Sequence, residues 1–212
     1  MSERIADVDI PDSALAKEAT ELVRDTAGPL LYDHSRRVYL FGALQGRRRG
    51  LAFDPELLYV AALFHDLGLT AEHRDSQQRF ELDGADAARD FVLRHGLSAE
   101  QARIVWTAIA LHTTPGIPTR MEPEVALVTA GVELDVLGIG LDDLSEQARA
   151  AVVAAHPRPD FKRRILRAFT EGIEHRPQTT FGNVKADVLD RFVPGFERTN
   201  FVDVIEQSGW SE

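Results

Sequence analysis

The sequence predicts an all-α protein. Apolar residues recur at steps of three and four along most of the chain, helix start and stop signals fall at plausible intervals, and few stretches alternate as strands do. After a polar start, "SALAKEATELVRD" reads as a first amphipathic helix, and "YDHSRRVYLFGALQGRRRG" as a second that stops at Gly50. Asp54 is placed to cap a third, with Pro55 in its first turn, where a missing N–H costs nothing. This helix is expected to end near Gly68.

The polar stretch "TAEHRDSQQRFELDG" reads as a long loop, a length more often functional than idle. Helices are expected at 84–95, with Gly96 as terminator, and at 98–112, where "SAEQ" has the form of a capping box. A proline-rich connection, "TTPGIPTRMEP", leads into the apolar helix "EVALVTAGVELDVLG". Two more helices are expected at 143–155 and 160–175, followed by a tail of short helices and aromatic anchors expected to pack on the core. No repeat, low-complexity segment or clear linker divides the chain, so one domain over 1–212 is expected.

A net charge of −10 argues against nucleic acid or an anionic membrane surface as partner, because both repel such a surface. The basic clusters "GRRRG" and "KRR" read as solvated helix faces or ends. The N-terminus lacks a secretory pattern and no apolar run reaches the ~18 residues of a membrane span, so a cytoplasmic protein acting on a small molecule is expected. With no cysteine, any bound metal must be held by nitrogen and oxygen.

The segment "LLYVAALFHDLGL", residues 57–69, sets His65 and Asp66 side by side in an apolar run, where their burial needs compensation. A divalent cation that favours nitrogen and oxygen would supply it, and a mutual hydrogen bond in the core is the alternative. His34 shares a face with Val38 and Phe41, and Asp135 one with Val128 and Val132, so each is a polar group on an apolar stripe. Taken alone, His34 reads as a core or capping histidine and Asp135 equally well as a buried carboxylate paired with an arginine.

Together, the order His, then His-Asp, then a distant Asp, each in a helix, resembles the HD superfamily of metal-dependent enzymes, over roughly residues 30–140. The resemblance implies a single HD-type helical domain, with residues 141–212 as a helical extension packed on the metal-binding core. It makes His34, His65, Asp66 and Asp135 the metal ligands, and it suggests that Asp66 also handles protons in catalysis. The segments "YDHSRRVYLFG", "AALFHDLGLT", "RFELDGADAARDF", "AIALHTTPGIP", "TTFGNVKADVL" and "NFVDVIEQSGW" look like the cyanamide hydratase-type branch. That likeness implies one divalent ion, Zn2+ as first choice with Fe2+ or Mn2+ as alternatives, and addition of water to a small nitrile-like carbon, with cyanamide becoming urea.

Two histidines and two carboxylates would leave a 2+ ion formally neutral, so bound water would be acidified less than at an all-histidine site and a general base would help. In the same branch His112 and Thr113, where an apolar helix meets the proline-rich connection, resemble a substrate-contacting pair that donates hydrogen bonds to a substrate nitrogen. Asp83 reads as the cap of the next helix, or as a residue supporting the site. His95, His156 and His175 read as structural or surface residues near helix ends, and His73 as a surface residue of the long loop. Phosphohydrolase members often carry a lysine soon after the doublet and histidines for a second metal. Here Leu67-Gly68-Leu69 follows and "RFELDGA" has no histidine, which weakens a phosphate-ester reading and favours one ion. A metal-stapled module without activity is the third reading, and the aromatic tail is a candidate surface for a homo-oligomer.

Overall fold

The computed structural model describes residues 3–210. A short antiparallel hairpin pairs β1 (Arg4–Ile5) with β2 (Val8–Asp9). Ala6 and Asp7 both have positive φ in its turn, as a two-residue hairpin that follows strand twist demands. Everything else regular is helical: α1 (Ala14–Arg48), α2 (Pro55–Phe64), α3 (Phe80–Arg94), α4 (Ala99–Leu111), α5 (Pro123–Val132), α6 (Glu146–Ala155), α7 (Phe161–Ile173), α8 (Lys185–Phe192) and α9 (Phe201–Glu206). Short 3₁₀ turns join several of them.

The expected first and second helices form one rod, α1, kinked where Gly28 takes φ 68° and Pro29 follows. Ser13 caps its start by accepting from the Ala16 N–H. Asp54 caps α2, accepting from the Glu56 and Leu57 amides, with Pro55 in the first turn. Every residue of α2 from Leu57 to Phe64 is buried, which makes it the central rod of the bundle, against α1, α3, α4 and α5. Its apolar side chains form a continuous core with Val38, Leu40, Phe41, Ile109, Leu127 and Val128. A second, smaller cluster of Leu31, Leu69, Phe80, Phe161, Ile165, Ile173 and Leu189 lies under α7 and α8.

Three local expectations are corrected. The helix bearing the doublet ends at Phe64, not near Gly68: His65 is its C-cap, Asp66 has φ −104° and ψ 7°, and a 3₁₀ turn covers Leu67–Leu69. A Cβ on Gly68 would clash with the Phe80 carbonyl, so the chain can turn there only without a side chain. Next, α3 starts at Phe80 rather than 84, which shortens the loop and makes Asp83 a first-turn residue instead of a cap. Finally, the segment "ELDVL" continues α5 as a π-helical turn, Glu133–Leu137, which rotates Asp135 relative to a regular helix. In the tail, α8 buries Lys185, Ala186 and Leu189, whereas Phe201, Val202, Ile205 and Trp210 stay exposed. No helix among the described residues is long and apolar enough to cross a membrane.

Gly131 of α5 sits against the Val38 carbonyl of α1, with no room for a Cβ, and this close approach sets the spacing between the helices that carry His34 and Asp135. Gly131→Ala is expected to destabilise the fold by about 1–3 kcal/mol through overpacking, read as a lower midpoint in urea denaturation at unchanged slope.

Candidate metal centre

His34 projects from α1, His65 ends α2, and Asp66 follows in the bend before the 3₁₀ turn. The bend compensates for the ~100° between neighbouring helical side chains and lets both members of the doublet face His34. His34 Nε2 lies 3.2 Å from His65 Nε2 and 3.6 Å from Asp66 Oδ2, and His65 Nε2 is 3.3 Å from Asp66 Oδ2. All three residues are buried, at 1%, 0% and 2% exposure, so no bulk water solvates these atoms.

Hydrogen bonds on the outer nitrogens decide what the inner ones can do. His65 Nδ1 donates to the Ala62 carbonyl at 2.8 Å, and His34 Nδ1 donates to Asp135 Oδ2 at 2.6 Å. Both acceptors lack protons to give, so each neutral ring carries its hydrogen on Nδ1 and presents a lone pair at Nε2. His112 repeats the pattern: Nδ1 donates to the Ile109 carbonyl at 2.6 Å, and Nε2 has no partner, 3.6 Å from Asp66 Oδ1. Both oxygens of Asp66 likewise lack a hydrogen-bond donor.

The site is therefore a convergence of electron pairs without hydrogens between them. A divalent cation fits this donor set, since tetrahedral bonds of about 2.0–2.2 Å place ligand atoms about 3.3–3.6 Å apart. Without a cation, protons must take its place. Burial lowers the His34 pKa despite Asp135. Burial also opposes charge on His65, but neighbouring Asp66 and the Ala62 carbonyl outweigh it and raise its pKa. Burial would push Asp66 up, yet His65 and the approach of His112 hold it well below the usual carboxylate range.

Asp135, expected as a fourth ligand, lies behind His34 instead. Its Oδ2 accepts from His34 Nδ1 and from Arg37 at 2.9 Å, and its Oδ1 accepts from Arg37 and Arg158, each at 2.9 Å. Four donors fill its lone-pair directions. The π-turn and the two guanidiniums, which lie over the Phe161 ring at 4.8 and 4.5 Å, draw the carboxylate to this side. Burial opposes ionisation of Asp135, but His34 and Arg37 more than offset it and keep its pKa far below normal.

His112 and Thr113 sit at the end of α4. His112 joins the cluster, its ring edge-on to His65 at 4.9 Å and against Phe80 at 5.6 Å. The Thr113 hydroxyl instead meets a buried ion pair, Glu81 of α3 with Lys185 of α8. Asp83 holds the fully buried Arg176, which also donates to the Gly68 and Gln78 carbonyls, so it ties the C-terminal helices to the turn after the doublet. Of the other histidines, His95 bonds the Phe91 carbonyl and Glu18, His156 lies between Asp33 and Arg36, and His73 and His175 are partly exposed and away from the cluster.

Glu81, Lys185, Arg37, Arg158 and Arg176 were not singled out from the sequence. Only Arg37, a charge inside the apolar stretch "HSRRVYLF", carried a local signal. A large cavity, about 1150 Å³, lies under the C-terminal segment and is walled by Thr113, Arg79, Phe181, Asn183 and Phe196 among others, but by none of the clustered histidines or Asp66. Perturbed groups converge at the buried cluster, and Thr113, next to His112 in the chain, lines the cavity.

A helical bundle closed around a buried His–His–Asp cluster defines a candidate metal centre. The HD domain family model matches residues 31–156, more than half of the chain, and the chain belongs to that family of metal-dependent, hydrolase-type enzymes. The match spans His34 through His156 and stops before α7, so Arg158, Arg176 and Lys185 come from outside it.

Two predictions follow from these contacts. Asp135→Asn leaves the buried Arg37 without its counter-charge and should cost about 3–5 kcal/mol of stability, while loosening His34 should lower metal affinity about 10–100-fold; urea denaturation and competitive chelator titration read the two separately. Burial would raise the Glu81 pKa, but Lys185 and Arg79 bring it down to about 2 from 4.5. A depressed folded-state pKa means that its stabilisation is complete above the unfolded value and lost as pH falls from 4.5 toward 2. The double variant Glu81→Leu, Lys185→Met should lack that component of acid unfolding in pH-dependent denaturation curves.

Proposed function

We propose that this protein holds a single divalent cation through His34, His65 and Asp66 and uses it to add water to a small uncharged substrate, with hydration of cyanamide to urea as first choice. The observation that carries the reading is the inward convergence of the two Nε2 lone pairs on a donor-free carboxylate. The cation, when bound, lowers the pKa of water toward neutrality.

The chain's own groups divide the remaining work. Asp66 Oδ2 faces the two imidazoles, which leaves Oδ1 on the His112 side without a hydrogen bond. His112 Nε2 is a lone pair whose ring is fixed by Ile109, so it can take a proton from the attacking water and return it to the substrate nitrogen. Water oxygen bonds to the nitrile carbon, one proton reaches the nitrile nitrogen, and a second proton shift converts the resulting isourea to urea. His112 thus accepts before it donates, in contrast to the purely donating role its position alone suggested.

An uncharged substrate agrees with the surroundings. Arg37 and Arg158 are both paired with Asp135, Arg176 with Asp83, and Lys185 and Arg79 with Glu81, so each of these cations already has a carboxylate partner. A phosphate monoester would call for unpaired cations or a second metal. The choice of cyanamide itself is supported by the flanking sequence segments, and zinc is preferred for a nitrogen–oxygen site that needs no redox change.

Metal analysis of purified protein coupled to a urea-release assay tests this reading. The expected result is one tightly bound ion per chain and cyanamide-dependent urea, abolished in Asp66→Asn. Phosphate release from nucleotides by protein with two metal equivalents, or urea formation that survives Asp66→Asn, overturns it.

A further inference from the structure

The Thr113 hydroxyl has one hydrogen and two lone pairs, and its neighbours determine how they are spent. The hydrogen goes to Glu81 Oε1, since a carboxylate can only accept. One lone pair accepts from Lys185 Nζ at 3.2 Å, since an ammonium can only donate. Lys185 in turn pairs with the same Glu81 oxygen, and the two charges are 2% and 0% exposed. Two side chains, one from α3 and one from α8, thereby lock one hydroxyl rotor at the end of α4. Thr113 is itself half-buried on the wall of the large cavity, beside His112 in the chain. What it still has to offer is a single lone pair.

We propose that Glu81 and Lys185 are positioning residues that fix Thr113 as a hydrogen-bond acceptor, so the site selects a small substrate carrying an N–H donor next to the carbon that water attacks. This rests on the function proposed above and narrows it to amino-substituted nitriles or primary amides. A substrate presenting only an acceptor would meet lone pair against lone pair. Cyanamide fits, because its amino group can donate to Thr113 while its nitrile nitrogen receives the proton held at His112.

The ion pair explains why a buried lysine sits far from any surface role. Lys185 is packed over the Phe80 ring at 5.4 Å, and Phe80 also touches His112, so the rotor lock and the proton-accepting ring share one support. Burial lowers the Lys185 pKa and Glu81 opposes that shift. The charges face each other inside the fold, and the hydroxyl lies between them and the cavity.

Two matched pairs test the inference on the zinc-loaded protein: formamide against N,N-dimethylformamide by equilibrium binding in calorimetry or ligand-observed NMR, and cyanamide against N,N-dimethylcyanamide by binding read at early times before turnover, in ligand-observed NMR. Each pair keeps the reacting carbon and deletes the N–H donors. The expected result is a preference for the donor-bearing member that includes about tenfold or more from the hydroxyl, the size of one hydrogen bond, retained in Thr113→Ser and reduced by that factor in Thr113→Val. Because methyl bulk is common to wild type and variant, the change in preference isolates the hydroxyl. Lys185→Met combined with Glu81→Gln, with folding checked by circular dichroism and zinc content by metal analysis, should shrink the preference by freeing the rotor. Equal binding within both pairs, no binding of any probe, a preference undiminished in Thr113→Val, or one untouched by the double variant overturns the inference. A preference in the amide pair without urea formation from cyanamide would instead discard the nitrile reaction and leave the selection of an N–H donor standing.

Discussion

The structure depends on where two imidazole hydrogens go. Once the Ala62 carbonyl takes the Nδ1–H of His65 and Asp135 takes that of His34, both Nε2 lone pairs must point at the same few cubic ångströms. That arrangement is unfavourable for the protein alone, because buried acceptors without donors cost free energy. It becomes favourable when a cation binds, so much of the surrounding architecture serves to prevent relaxation. His34 cannot swing away without giving up its buried Nδ1–H bond to Asp135, which Arg37 holds in place from the other side, and Asp66 is held by the turn after α2.

Packing supplies the rigidity. Gly131 lets α5 approach the α1 backbone, which fixes the distance across which His34 and Asp135 meet. The cluster sits at the seam between the main apolar core and the smaller one beneath α7 and α8, with Phe161 against His34 and Phe80 against His112. Two salt bridges from the first turn of α3, Glu81 to Lys185 and Asp83 to Arg176, tie the C-terminal helices over that seam. Buried pairs of this kind add little net stability compared with apolar contacts, but breaking one is costly, so they specify a position.

Legibility in the sequence followed the range of the determining interaction. Periodicity and local capping were enough for the all-α class and for the ends set by Asp54 and Ser98, whose partners lie within three residues. His34, His65 and Asp66 stood out because each is polar inside an apolar stretch, and the bundle brings all three together. Asp135 stood out for the same reason, yet its surroundings were hidden, since the π-turn and an arginine beyond α6 decide which way it faces. Of its two readings, the arginine-paired carboxylate describes the contacts observed. Lys185 and Arg176 gave no local sign, because a charged residue in a polar tail looks solvated until the tail folds back onto α3.

The central assertion is that the inner nitrogens of His34 and His65 are unprotonated and bind one ion. Long-range 1H–15N NMR of the imidazole rings, with the protein loaded with 113Cd in place of zinc, reads it directly. The expected spectrum shows both rings protonated at Nδ1 only, with Nε2 of each coupled to a single cadmium resonance. Rings protonated at Nε2, or cadmium coupled to neither histidine, would contradict it.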